Sequence, residues 1–156
     1  MKSLHAIIIA LTVILSGCNG NNKDNINEKA SVSALDELPE NPLFLSPITF
    51  SINPKKASMS TLYGNKTAFQ HAITKADSSY PNGAVLYEVT WRQKADSLWY
   101  GANIPDQIIS VEKVQFTANS VPEYELYCGH PLKKVPSRNQ STRITFMISQ
   151  RMAVNP

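Results

Sequence analysis

The chain is poor in the features that announce most functions. It carries two cysteines, Cys18 and Cys128, and three histidines. Gly-x-Ser-x-Gly, His-Glu-x-x-His and phosphate-loop patterns are all missing, which excludes the common nucleophile, zinc-protease and nucleotide signatures. The formal net charge is only +3, and basic residues are scattered apart from short pairs such as Lys55-Lys56 and Lys133-Lys134. That leaves no basic helix or aromatic–basic ladder for a nucleic acid. No internal repeat occurs. The N-terminal apolar run, Ala6 to Leu15, is too short to span a bilayer as a permanent helix.

What is present begins with that run. "MKSLHAIIIALTVILSGC" has one lysine, an apolar stretch, and then Leu15-Ser16-Gly17-Cys18, the form of a secretory signal ending in a bacterial lipobox. The expectation is a signal peptide over 1–17, removed with His5, and a Cys18 thiol that accepts fatty-acyl chains such as palmitate. Several such chains hold a protein on a bilayer far more firmly than one. The membrane is thus the expected partner and the cell envelope the expected location. Asn19 after the cysteine, rather than Asp, favours an outer membrane, facing the periplasm, where the cell has one. Residues 18–45 are rich in Asn, Lys, Asp, Glu and Ser and read as a flexible tether. The remainder, 46–156, suffices for one core. With Cys18 consumed by lipid, Cys128 has no partner within the chain.

Along the domain, "PITFSINP" (Pro47–Pro54) reads as a strand between prolines. "NKTAFQHAITKA" has Asn65 as an N-cap and Ala68, Phe69, Ala72, Ile73 and Ala76 at helical spacing. "SSYPNG" is a turn. "AVLYEVTWRQ" alternates Val85, Tyr87, Val89 and Trp91 against Leu86, Glu88, Thr90 and Arg92, a strand with one apolar face. "KADSLWYGANIPDQ" reads as a structured loop that Lys94, Asp96 and Asp106 could cap or bridge. "IISVEKVQFTA", "EYELYCG" and "RITFMISQRMAV" read as three more strands. Successive strands after a helix predict an α+β fold, a mainly antiparallel curved sheet packed against one or two helices.

Several stretches together resemble the cytochrome P460 domain family: "MSTLYGNKTAF", "YPNGAVLYEVTWRQKADSLWYGANIPDQIISVEKVQF", "YELYCGHPL" and "RITFMISQRMAVNP". The resemblance runs from about Ile48 to the C-terminus. It implies a mostly antiparallel β domain, often dimeric, that in the true cytochromes carries covalent haem and oxidises hydroxylamine or related nitrogen compounds. Those members attach haem through Cys-x-x-Cys-His near the C-terminus. No such motif occurs here, so no covalent haem residue transfers to any position.

The candidate cofactor-binding residues are His71, Cys128 and His130. On an extended strand, residues two apart share a face, so Cys128 and His130 could meet one ion, with His71 as a third ligand for copper or zinc. The plainer alternative makes Gly129-His130-Pro131 a turn that ends the strand. For non-covalent haem, His71, His130, Cys128, Met147 or Met152 could supply an axial ligand. Trp91, Trp99 and Tyr100 either line a small-ligand pocket or close the end of the sheet. The leading expectation is an anchored binding module for a small ligand or partner, without covalent haem. The alternatives are a haem- or metal-dependent oxidoreductase acting on small nitrogen compounds, and a dimerisation module.

Overall fold

The computed structural model describes residues 27–74, 79–118 and 121–152. The expected signal peptide, Cys18, the part of the expected tether up to 26, and Ala76 lie outside them. Among the described residues the architecture is α+β: one open antiparallel sheet of six strands with two α-helices. The strands are β1 (Ser46–Asn53), β2 (Ser58–Gly64), β3 (Val85–Ala95), β4 (Asn103–Gln115), β5 (Glu123–Cys128) and β6 (Lys133–Val135). They lie in the sheet in chain order, so every strand pairs with its neighbour in sequence. The helices are α1 (Lys66–Ile73), between β2 and β3, and α2 (Gln140–Ser149), after β6.

The register assigns side chains to two faces. Leu62, Glu88 and Glu112 stand opposite one another across β2, β3 and β4, as do Gly64, Leu86 and Val114. This face carries the helices: Leu62, Leu86, Val114 and Ile48 pack with Ala68 of α1 and Met147 of α2, with Ile144 and Ile148 alongside. Asn65 caps α1 as its sequence predicts, accepting from the Ala68 N–H at 2.9 Å. Gly64 is required by the close approach of α1. A Cβ there would sit 2.8 Å from Ile48 Cδ1 and 2.9 Å from Ala68 Cβ.

The opposite face carries Tyr87, Val89, Trp91 and Val111, and it is covered by the segment expected to be a tether. Ala30, Val32, Leu38, Leu43 and Leu45 pack on it. Polar ties reinforce the contact. Trp91 Nε1 donates to Ala30 O at 2.9 Å and Tyr87 Oη to Glu40 Oε1 at 3.1 Å. The Leu132 and Lys134 N–H groups donate to the carboxylates of Asp36 and Glu37. Residues 27–45 are therefore part of the folded unit, correcting the tether expectation over that range. Their apolar residues are too irregularly spaced to read as periodic, yet Ala30, Val32, Leu38, Leu43 and Leu45 meet the apolar underside of the sheet while Leu35 and Phe44 stay exposed.

Two further expectations change. β3 is buried on both faces, Leu86 and Glu88 included, because it sits mid-sheet between the helices and the N-terminal segment. "RITFMISQ" is helical in α2, not a strand. Its β-branched residues suit a strand, but Ile144, Met147 and Ile148 also recur at i, i+3 and i+4, and the sheet face beneath selects that period.

Candidate functional site

The sequence-derived ligands do not converge. His71 lies on α1 with its ring 4.5 Å from the Tyr80 ring, beside the helix-side core. β5 ends at Cys128, and Gly129 adopts φ 97°, where a Cβ would also crowd the Pro131 carbonyl at 3.2 Å. The strand alternation therefore stops before the exposed His130, so the shared-face argument for a Cys128–His130 pair fails and the turn reading holds. Cys128 is half-buried; burial, and then the nearby Glu112 charge, push its thiol above the usual range. Its thiolate is scarce at neutral pH. Among the described residues, no three His, Cys, Asp or Glu side chains stand close enough together to hold a metal ion. Met147 is fully buried in the core and Met152 packs against it. A single thiol followed by a turn does not fit the two-thioether attachment that the family resemblance implies.

The register creates a different constellation. Glu88 on β3 and Glu112 on β4 are direct cross-strand partners on the helix-side face, and both are buried. Like charges in that position repel. Arg143, in the first turns of α2, resolves the conflict. Its Nε donates to Glu112 Oε2 at 2.8 Å, and its Nη2 reaches Glu112 Oε1 at 2.9 Å and Glu88 Oε2 at 3.1 Å. The planar guanidinium meets Glu112 with two parallel donors, a geometry lysine cannot reproduce. Ser60 Oγ donates to Glu88 Oε1 at 2.9 Å, Gln150 Nε2 to Glu88 Oε2 at 3.3 Å, and Tyr124 Oη to Glu112 Oε2 at 2.8 Å. Burial dominates Glu88 and raises its carboxyl above the ordinary value, with Ser60 and Arg143 opposing. Burial and the Glu112 bond likewise hold the Tyr124 phenol well above its ordinary range. With every member hydrogen-bonded, the cluster clamps α2 to the sheet. A glutamate within the apolar run Val85–Val89 is its sequence signal, but the partner on α2 cannot be named from a segment that reads as a strand.

Surface accessible to a ligand lies elsewhere. A groove of about 420 Å³ opens between β1, β2 and the N-terminal segment, walled by Leu43, Phe50, Met59, Tyr63, Trp91 and Pro105. Thr61 shares this face by register, while Ser51 and Ser60 border the groove with their hydroxyls turned to the helix-side face. Its volume falls in the range of small-molecule sites, and its mix of apolar wall and a few polar groups is typical of them. On that helix-side face the Ser60 Oγ lies 2.8 Å from Ser51 Oγ while donating to Glu88. Trp91 is buried and forms part of this wall. Trp99 and Tyr100, by contrast, neither line the groove nor close the sheet: they stand exposed at the β3–β4 turn. Lys94 and Asp106 bridge the base of that hairpin at 3.5 Å, as their spacing suggested. No helix among the described residues is long and apolar enough to cross a membrane. No protein-family model matches the chain, and no curated protein is similar to it.

Proposed function

We propose that this chain is a lipid-anchored envelope binding module of cytochrome P460-like architecture, without covalent haem, that takes a small, mostly apolar ligand in the groove between β1, β2 and the N-terminal segment. The carrying observation is the groove itself: five large apolar or aromatic side chains and a proline frame a concavity of ligand size. The sheet beneath it is braced on one face by the Arg143 clamp and on the other by residues 27–45. A wall that does not reorganise spends little binding energy on ordering. Lipobox and family motifs in the sequence support the anchoring and the architecture. An oxidoreductase role draws no comparable support, since among the described residues His71, Cys128 and His130 form no three-residue cluster that could hold a metal ion.

The test uses 1-anilinonaphthalene-8-sulfonate as the probe. The folded chain should enhance its fluorescence saturably at one site. Met59→Trp, which fills the groove, should weaken that binding at least ten-fold while leaving the thermal midpoint within a few degrees. Probe binding that is absent, or indifferent to Met59→Trp, would remove the groove from the account.

A further inference from the structure

The β3–β4 hairpin ends in three consecutive large side chains that the fold leaves in solvent. Leu98 is 87 % exposed, Trp99 71 %, and Tyr100 fully so. The turn is held in shape. Asp96 N–H donates to Ala102 O at 2.9 Å, Ala102 N–H to Trp99 O at 3.1 Å, and the Asp96 carboxylate accepts from the Leu98 N–H at 2.8 Å. No charged residue occurs from Ser97 through Pro105. A preformed, uncharged tip with an aliphatic residue beside tryptophan and tyrosine suits a bilayer interface. There the apolar ring bodies leave water while the indole N–H and phenol O–H stay hydrated.

The course of the chain indicates which surface this tip meets. Asn27 begins the described structure, and its Nδ2 donates to the Pro105 and Asp106 carbonyls at 3.2 and 2.7 Å. Pro105 faces Gln93, two register steps from the last strand pair, Ala95 and Asn103. At about 3.4 Å per strand residue, the N-terminal attachment is within roughly 7 Å of the strand ends that carry the tip. Cys18 precedes Asn27 by nine residues, a span of about 30 Å at most. An acylated Cys18 would therefore be tethered to the domain from the end that carries Leu98, Trp99 and Tyr100.

We infer that the Leu98–Tyr100 tip inserts into the leaflet that holds the lipid anchor, giving the domain a second membrane contact and a fixed orientation. This rests on acylation of Cys18. A bilayer contact through one tether leaves the domain free to rotate; a second contact at the hairpin removes that freedom.

The acylated chain is reconstituted in phosphatidylethanolamine–phosphatidylglycerol vesicles with and without brominated acyl chains. Trp91 is buried in the protein, so the emission difference between wild type and Trp99→Phe isolates Trp99. Bromination should reduce that difference at least two-fold, and the tip variant Leu98→Ser/Tyr100→Ser should reverse the quenching. A Trp99 signal indifferent to bromination overturns the inference while leaving the anchor intact, and would be the result if the tip instead docks on a protein. Mass spectrometry of the Cys18 peptide separates the failures: an unacylated cysteine removes the anchor and this inference with it.

Discussion

Replacing Arg143 with alanine leaves two carboxylates facing each other inside the protein, and the consequence can be bounded. Removing one partner of a buried ion pair costs about 3–5 kcal/mol. The Arg143 side chain is 33 % exposed, so water can enter the vacated space and solvate part of the charge; about 2–3 kcal/mol is the expected loss at pH 8. For a domain of this size that lowers Tm by on the order of 10 °C. The pH dependence is the sharper test. Glu88 already has a raised carboxyl, chiefly from burial. A raised folded-state pKa gives stability that is present below the unfolded value and lost as pH rises through the folded one. Without Arg143, the Glu112 charge pushes Glu88 further up, so the variant's deficit should shrink from pH 8 towards pH 5 as Glu88 takes a proton. Glu88→Gln in the Arg143→Ala background should recover about half the loss. Urea denaturation at several pH values, with m unchanged, reads the effect directly. A deficit below 1 kcal/mol, or one equal at pH 5 and pH 8, would refute the clamp.

Two further outcomes follow from the same geometry. A chain beginning at Ser46 strips the cover from Tyr87, Val89, Trp91 and Val111; it should aggregate or bind hydrophobic dyes, whereas a chain beginning at Asn27 should unfold cooperatively, and equal cooperativity of the two would contradict the packing. Lys134, Tyr127 and Lys113 hold the Glu125 carboxyl down to about 2. A depressed carboxyl contributes stability above its ordinary value of 4.5 that is lost as pH falls towards 2, so Glu125→Gln should flatten the acid limb of a stability–pH curve over that window.

Local chemistry was legible where one residue type has one physical meaning. Asn65 before Lys66 announced an N-cap, Gly83 after Pro81-Asn82 a turn, and the alternation in β3 a strand. Reading failed where meaning depends on what lies opposite. Ile144 and Ile148 fit either period, with Phe146 in a strand and with Met147 in a helix, until the sheet face beneath them is known. β2, with serine and threonine interleaved among Met59, Leu62 and Tyr63, carries too little apolar contrast to stand out, and its membership of the sheet rests on pairing with β1 and β3. Lys133–Val135, three residues long, becomes a strand only because β5 lies beside it. The clamp needed two unknowns at once, the register that sets Glu88 against Glu112 and the helix that delivers Arg143. His71, Cys128 and His130 drew notice through side-chain chemistry alone, and among the described residues the fold does not gather them into a three-ligand cluster.

The sequential order of the strands also bears on how the chain assembles. Each hairpin can zip onto the last, a route built from short loop closures that favours rapid sheet formation. The covering segment 27–45 obeys a different clock. It is synthesised first, yet the Leu132 and Lys134 backbone groups that bind Asp36 and Glu37 come almost a hundred residues later. Until β6 exists those two anchors are missing, and only the contacts with the central strands hold the cover over Tyr87 and Val111. The nascent protein thus passes through an interval in which this cover is pinned to β3 and β4 but loose around Asp36 and Glu37, and that interval is when a chaperone would find the most to hold.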